Sequence, residues 1–385
     1  MLKHDQLYIK HQNKHWVYEI IKTKEPITKP DIVKITKMSA TSINRIVNEL
    51  ISEDLIYERE NATKTVGRNA VFLQINRLAR YSIGIEYDMK IIRIGMINLK
   101  GELEHLKEHP YQVRENSAGA LNVTIQLIES ILIENNIDKK RVLGIGVGLP
   151  GYIDEKNGRV VHSDQLLWDH IEMTKFLYEK TGLPTVVDNE LKMQVMAEKN
   201  VEQMDDGDTM ILVGIGSGIG SSVFINGDIY RGSSNKAGEI GHSIVNPNGH
   251  ICKCGKVGCL ASYISERSLI QQAKMGMDVA TVEDLVIRYE EKHPLARSIM
   301  NQAITYLAIG IGNIFTTYDP KIVVIAGHFF EYFPKLKLEF ELKLSQYCHQ
   351  EENQILKYST LKQKGVVLGA GIVAGEHFLQ LEQFS

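Results

Sequence analysis

The segment Val142-Leu-Gly-Ile-Gly-Val-Gly148, followed by Leu-Pro-Gly151, is a run of β-branched residues and glycines that ends at a turn. Short runs of this kind are found throughout the chain after residue 80, and longer helical stretches separate them. Strands that alternate with helices are typical of an α/β body with mixed sheets. We predict strands at 81–86, 91–97, 142–148, 185–187, 210–213 and 322–325, and helices at 118–135, 191–200 and 296–317.

The chain has 385 residues, of which 43% are hydrophobic and 24% are charged. This length predicts two or three domains, and the composition excludes disordered, collagen-like and small disulfide-stapled proteins. No apolar run reaches the roughly 18 residues that span a bilayer, and the first residues lack the apolar core of a secretory signal peptide. We therefore expect a cytoplasmic protein that has no membrane partner.

The net charge of −3 is distributed unevenly. Residues 1–80 contain fourteen basic and nine acidic side chains, a net charge of +5, so the other 305 residues carry −8. A basic module joined to an acidic body indicates that the first 80 residues have a polyanion as their partner.

These first 80 residues have the pattern of three helices followed by a basic β-hairpin. We expect the first helix at about 11–24, and Thr28-Lys-Pro-Asp31 has the form of a capping box that begins the second. Ser39 can cap a third helix whose apolar residues share one stripe, formed by Ile43, Ile46, Val47, Leu50 and Ile51. Two predicted strands, 55–59 and 70–75, complete a winged helix-turn-helix.

The other face of the third predicted helix would read DNA. Its side chains are short polar groups and one arginine, the types that reach base edges and phosphates: Thr41, Ser42, Asn44, Arg45 and Asn48. Lys64 and Arg68, in the loop of the hairpin, could reach phosphates or the minor groove. A small helical protein-interaction domain is the alternative, and the uneven charge favours DNA.

Three of the four cysteines lie close together, at Cys252, Cys254 and Cys259, while Cys348 stands alone. In a chain without an export signal, such a triplet indicates metal ligands rather than disulfides. Together with His242 it supplies one nitrogen and three sulfurs, a set that suits a closed, structural Zn²⁺ site. Reduced cysteines without a metal are the alternative.

Four motifs occur in a fixed order: Gly144–Asp154, Asp188-Asn-Glu190, Ala237-Gly-Glu-Ile-Gly-His242 and Cys252-Lys-Cys-Gly-Lys-Val-Gly-Cys259. As a set they resemble the ROK family of bacterial sugar kinases and sugar-responsive repressors. The resemblance, over about residues 80–380, implies a two-lobed actin-like ATPase fold. The winged helix is similar to that of ROK repressors, including xylose repressors, and is absent from plain ROK kinases. We therefore expect a winged-helix domain at 1–78, a ROK N-terminal lobe at 79–188, and a C-terminal lobe with the zinc loop at 189–385.

The resemblance also implies sugar contacts at Asn189, Glu190, Glu239 and His242. Carboxylate and amide side chains can bond to several hydroxyl groups at once, as a sugar requires. The Pro150-Gly151 turn would let the backbone approach the sugar ring.

The chain departs from the kinase pattern at several positions. Glu86-Tyr-Asp-Met-Lys90 replaces the glycines and threonine that cradle phosphate in ROK kinases, and Glu190 replaces the catalytic aspartate. A displaced general base costs roughly a hundredfold in rate per ångström, so we predict that kinase activity is lost and that the protein is not an enzyme. Lys192 stands in place of an asparagine, and Ala261 in place of a sugar-binding glutamate.

From these features we expect a sugar-responsive transcriptional repressor. A homodimer, paired through the α/β bodies, would bind a palindromic operator and release it when a sugar inducer closes the lobes. Xylose fits the resemblance best, but another monosaccharide or a sugar phosphate stays open because Lys192 could pair with phosphate. The alternatives are an ATP-dependent ROK sugar kinase with an appended regulatory domain, and a non-catalytic sugar-binding partner of another protein.

Overall fold

The computed structural model describes residues 2–60, 70–348 and 351–379. The α-helices are α1 (Leu2–Lys24), α2 (Lys29–Thr36), α3 (Ala40–Ser52), α4 (Ser117–Glu134), α5 (Met173–Thr181), α6 (Glu190–Glu202), α7 (Ala261–Ile264), α8 (Glu266–Ala273), α9 (Val282–Glu290), α10 (Pro294–Tyr318), α11 (Phe329–Tyr332), α12 (Leu336–Tyr347) and α13 (Gly365–Phe378). The strands are β1 (Ile27–Thr28), β2 (Ile56–Glu60), β3 (Val71–Ile75), β4 (Tyr81–Asp88), β5 (Ile91–Asn98), β6 (Leu103–Pro110), β7 (Val142–Leu149), β8 (Tyr152–Asp154), β9 (Arg159–Ser163), β10 (Trp168–Ile171), β11 (Thr185–Asn189), β12 (Met210–Ile215), β13 (Ile219–Ile225), β14 (Asp228–Ile229), β15 (Ile322–Ala326) and β16 (Ile355–Tyr358).

The N-terminal module has the helix starts that its sequence predicts. Thr28 Oγ1 accepts a hydrogen bond from the backbone N–H of Asp31 at 3.3 Å, and Ser39 Oγ accepts one from Ser42 at 3.1 Å. These bonds satisfy N–H groups that lack a partner inside the first helical turn. Helix α1 begins at Leu2, well before the predicted start, because neither proline nor glycine interrupts residues 2–24.

The three helices share a core with a small three-stranded sheet. Its strand order is β1-β3-β2, and both neighbours of β3 are antiparallel to it. The stripe of α3 faces this core through Ile43, Ile46, Val47 and Leu50, which are buried, while Ile51 is half-buried beside them. This arrangement confirms the winged helix-turn-helix.

The body confirms the α/β architecture with mixed sheets, and the chain folds into two compact units. The first unit comprises Met1–Val147, Glu172–Val187 and Ala370–Ser385, and so includes the N-terminal module. Its large sheet has the order β11-β7-β4-β5-β6, in which β4, β5 and β6 form an antiparallel meander. Strand β6 was not among the predicted strands, because its mostly polar, half-buried residues lack a clear apolar pattern.

The second unit comprises Gly148–Ile171 and Asp188–Gly369. Its five-stranded sheet has the order β14-β13-β12-β15-β16, with β12, β15 and β16 parallel and β12 and β13 antiparallel. The long helix α10 contributes much of the apolar core that covers this sheet. A separate small sheet, in the order β10-β9-β8, lies within residues 152–171.

Helix α13 has residues in both units, since Gly369 belongs to the second and Ala370 to the first. At Gly369 the helix approaches helix α6 so closely that a Cβ would lie 1.8 Å from the backbone oxygen of Met193. Only glycine permits this approach.

The predicted domain boundaries at residues 78 and 188 stay predictions. None of the helices in the described part of the chain is long and apolar enough to cross a membrane.

The burial of the α3 stripe predicts how two isoleucine substitutions differ. Ile46 is 1% exposed and Ile35, on α2, is 41% exposed. Ile46→Ala should lower the free energy of unfolding of the winged helix by about 2–5 kcal/mol, because it leaves a cavity in the core. Ile35→Ala, the matched control, should change it by less than about 1 kcal/mol.

Urea denaturation can measure this difference through the fluorescence of Trp16, which lies in α1. A Trp168→Phe background removes the other tryptophan of the chain from the signal. Equal shifts of the urea midpoint for the two isoleucine variants would contradict the assignment of Ile46 to the core.

Candidate functional site

Helix α3 presents a polar face away from the core of the winged helix. The four side chains that the sequence places on this face and that the structure finds exposed are Thr41, Asn44, Arg45 and Asn48. Ser42 is half-buried, and its hydroxyl lies 2.9 Å from that of Ser39, so it also helps to cap the helix. One arginine among short polar groups can bond to base edges and phosphates, and these side chains are exposed on one face of α3. That they contact DNA stays a prediction. Lys64 and Arg68 lie in 61–69, outside the described residues.

The sugar-binding candidates begin where β11 ends and α6 starts. Asn189 caps α6 by accepting a hydrogen bond from the N–H of Leu191 at 3.0 Å, and its Nδ2 donates to the backbone oxygen of Gly151 at 3.1 Å. These two bonds orient the amide while leaving it one further donor hydrogen and acceptor lone pair. Glu190 is the first residue of α6 and is half-buried.

Glu239 and His242 stand at the two ends of a short 3₁₀ turn, residues 239–242. Gly238 precedes the turn with a φ of +96°, and a Cβ there would lie 1.9 Å from the backbone oxygen of Ser221. The backbone N–H of Ser221 donates to the oxygen of Gly238 at 2.7 Å, which attaches the loop to strand β13. Glycine is therefore required for this turn, and Glu239 is left exposed.

Loop 231–239, the segment that leads to Glu239, is held by a network of charged and amide groups. The Arg231 guanidinium pairs with the Asp188 carboxylate and donates to Asn235 Oδ1 at 3.3 Å. The Lys192 ammonium donates to both oxygens of Asn235. Sequence analysis missed Arg231 and Asn235, since no local motif marks a contact between residues 43 positions apart.

Burial is the main influence on the Lys192 ammonium. Its desolvation lowers the pKa of Lys192 below the usual value, and the nearby Asp188 carboxylate partly offsets that effect. Because Lys192 is only 4% exposed, its hydrogens need protein oxygens as partners, and Asn235 supplies them.

His242 and the three clustered cysteines form a compact group of ligand atoms. The donor atoms of His242, Cys252, Cys254 and Cys259 all lie within 4.8 Å of one another. Cys254 Sγ is 3.7 Å from Cys259 Sγ, and Cys252 Sγ is 3.7 Å from His242 Nδ1. Four ligands at the metal–sulfur distance of about 2.3 Å and tetrahedral angles lie about 3.8 Å apart, so this cluster could hold a metal ion.

The thiols of the cluster differ in acidity. Burial raises the pKa of Cys259 to about 12, so without a metal ion this thiol is protonated at neutral pH, and a metal would have to displace its proton in order to bind. The backbone N–H of Lys256 lowers the pKa of Cys254, in the direction that favours the thiolate. Cys348 lies outside this group.

The phosphate-binding position of the kinase pattern has no glycine here. Met89 and Lys90 alone join β4 to β5, and the preceding Asp88 accepts a hydrogen bond from the N–H of Met89 at 2.6 Å. The Asp88 carboxylate therefore occupies one backbone N–H of this turn, and its negative charge would repel a phosphate. The turn thus departs from the kinase pattern in its side chains.

The same hairpin contains a buried acid. Glu86 pairs across the sheet with Arg93 at 3.1 Å, and burial raises the pKa of Glu86 to about 7. Arg93 also donates to Glu108 at 3.0 Å, so its positive charge is shared by two carboxylates.

Ala261, at the start of α7, offers only a methyl group where the family pattern has a glutamate.

Residues 82–377 match the ROK family. The chain belongs to the ROK family. It is 27% identical to the "Xylose repressor" of Caldicellulosiruptor bescii over 381 residues, which covers 94% of each protein. It is also 27% identical to the "Glucokinase" of Halalkalibacterium halodurans, over 64% of this chain and 80% of that protein.

A solved structure extends the similarity to the whole architecture. It is a ROK family transcriptional regulator described as a homologue of the Escherichia coli Mlc protein. The two chains superpose with a TM-score of 0.80 at 25% identity, over 95% of this chain and 96% of the other. The predicted ROK fold, with a winged helix before the body, is confirmed.

The cluster geometry predicts the metal content of two variants. Cys254→Ser should reduce the bound metal from about one ion per chain and lower the thermal midpoint, because a hydroxyl is a poor substitute for a thiolate ligand. Elemental analysis and a thermal melt of the purified protein measure both effects. Cys348→Ala is the matched control and should keep the metal. A wild-type protein that is metal-free after purification and has the same thermal midpoint as the metal-bound protein would contradict the prediction.

Proposed function

We propose that this protein is a sugar-responsive transcriptional repressor. One observation carries the proposal: a winged helix with an exposed polar recognition face precedes a ROK body whose phosphate-loop position is a two-residue hairpin. The similarity to a xylose repressor over 94% of both chains supports it, as does the overall superposition on a ROK transcriptional regulator.

In this proposal α3 enters the major groove, and the wing, the hairpin of β2 and β3, reaches the neighbouring DNA backbone. Two subunits pair through their bodies and present two winged helices to a palindromic operator, because a two-fold axis in the protein matches one in the DNA. The DNA contacts are made by Thr41, Ser42, Asn44, Arg45, Asn48, Lys64 and Arg68.

The inducer is a sugar, and xylose fits the relatives best. Asn189, Glu190, Glu239 and His242 supply the amide, carboxylate and imidazole groups that bond to its hydroxyls. For the sugar to release the operator, it must bind the DNA-incompetent state more tightly, since equal affinity for both states would shift nothing.

The metal in the His242 and cysteine cluster is Zn²⁺ with a structural role. Three thiolates and one imidazole are a ligand set that zinc prefers, and a full set of four protein ligands leaves no position for chemistry. The ion would hold residues 242–259 together and so support Glu239, which lies just before His242. We place the protein in the cytoplasm, where the DNA and the reducing conditions that keep its thiols free are found.

A sugar kinase is the second candidate, because the family includes kinases and the chain resembles a glucokinase. Against it stand the residues Glu86–Lys90, which replace the glycines and threonine of the kinase pattern, and the glutamate at the position of the catalytic aspartate. We expect no ADP release with ATP and glucose, xylose or N-acetylglucosamine in a coupled assay. Turnover that a Glu190→Gln substitution abolishes would establish the kinase instead.

The repressor proposal predicts specific binding to promoter fragments from the operons beside its gene. Arg45→Ala should weaken this binding by about 1–3 kcal/mol, roughly tenfold or more, through the loss of a base or phosphate contact. Arg114→Ala removes an exposed arginine outside the winged helix and should leave the affinity unchanged. Fluorescence anisotropy at fixed salt measures both.

The same titrations, repeated with xylose, glucose and N-acetylglucosamine, test the inducer. One sugar should lower the operator affinity, and the others should have little effect. If no neighbouring promoter fragment is bound above the level of random DNA, the repressor assignment is wrong.

A further inference from the structure

Lys192 is the basic side chain closest in sequence to the sugar-binding candidates of α6, two residues after Glu190. Its side chain is buried, and its Nζ donates to the backbone oxygen of Asn235 at 2.7 Å and to Asn235 Oδ1 at 2.5 Å. A lysine that served to bind a phosphate would direct its hydrogens to the ligand, whereas two of the three hydrogens of Lys192 are already donated to Asn235. Here the ammonium is directed to the two oxygens of one residue in loop 231–239.

Asn235 joins this lysine to the rest of the site. Its Nδ2 donates to the backbone oxygen of Ile153 at 2.8 Å, and its Oδ1 also accepts from Arg231. Each polar atom of the Asn235 side chain therefore has a partner, on a strand, a helix or the same loop. A side chain with this many hydrogen-bond partners is held in one position, so Asn235 fixes the conformation of loop 231–239.

The charged groups around Lys192 carry a net negative charge without a ligand. Arg231 pairs with Asp188 and lies 3.8 Å from the Glu155 carboxylate. The charged groups that influence Lys192 are two carboxylates, Asp188 and Glu155, one guanidinium, Arg231, and the carboxylate of Glu239. Two positive charges thus face three negative ones, and a phosphate dianion would add to the negative side.

We propose that Lys192 is a positioning residue that clamps loop 231–239 through Asn235, so that the site accepts an unphosphorylated sugar and excludes a sugar phosphate. This inference rests on the proposed function of the site as a sugar receptor. The clamp fixes the loop that leads to Glu239, four residues after Asn235, and the Glu239 carboxylate lies near enough for its charge to act on Lys192. The sugar then meets carboxylates and amides that bind hydroxyls, while Lys192 and Arg231 already have protein oxygens as partners and the exposed Lys236 lies over the ring of Tyr152.

Equilibrium binding to the full-length protein tests the clamp. The probes are D-xylose, D-glucose and N-acetyl-D-glucosamine, together with glucose 6-phosphate and N-acetylglucosamine 6-phosphate. Lys192→Met and Asn235→Ala break the same clamp from its two sides. Lys199→Met, on the same helix, removes a lysine that pairs with Asp206 at the protein surface and is the matched control.

We expect each clamp variant to weaken binding of the preferred sugar by about tenfold or more, because a charged hydrogen bond that holds the loop is lost. The double variant should be hardly weaker than either single one, since both substitutions remove one interaction. The control should bind as the wild type does. Each phosphorylated sugar should bind more weakly than its parent sugar in every variant. An unchanged thermal midpoint and metal content would show that the variants remain folded.

Two results would overturn this inference alone. The first is wild-type sugar binding that neither clamp variant changes. The second is a wild type that prefers the phosphorylated sugar and a Lys192→Met variant that loses this preference, which would make Lys192 a phosphate ligand. A wild type that binds none of the five probes would overturn the proposed sugar receptor and the clamp together.

Discussion

The contact between the buried Lys192 ammonium and the two oxygens of Asn235 is the constraint on which the arrangement of the candidate site depends. A buried ammonium without partners costs several kcal/mol, so α6 and loop 231–239 must meet. At the other end of the loop the buried Asp188 carboxylate also needs a partner, and the half-buried Arg231 guanidinium supplies it. Once the loop is placed, Gly238 directs the chain into the turn that carries Glu239 and His242.

The His242 and cysteine cluster follows Glu239 in the chain, on the side opposite to loop 231–239. His242 closes the turn that Glu239 begins, and its Nδ1 faces Cys252. The loop is thus held before Glu239 by ion pairs and after it by the cluster. Such support on both sides explains how an exposed carboxylate can keep a defined position, since the backbone beneath it has few alternatives.

The elements that the sequence predicted well are those with a local signal. Ser39 and the stripe at Ile43, Ile46, Val47 and Leu50 are sufficient to locate α3, because capping and apolar periodicity act within one helix. Strand β6 and the small sheet at 152–171 were missed because their residues lack a clear apolar alternation, although each strand pairs with one adjacent to it in sequence. Helix α13 was missed as well, since its many glycines disfavour a helix; Gly365 and Gly369 allow its close approach to α6, and Gly371 packs closely on Ile97.

The sequence by itself determined the winged helix, the α/β body, the ligand set of the cysteine cluster and the loss of the glycines that would bind phosphate. These features depend on residue types at short spacings, where local geometry leaves few options. Only the tertiary structure decided what Lys192 does. The sequence left it as a possible phosphate partner, and the fold directs its ammonium to Asn235, 43 residues away. The partner of a buried charge is chosen by packing between distant segments, and no local pattern contains that choice.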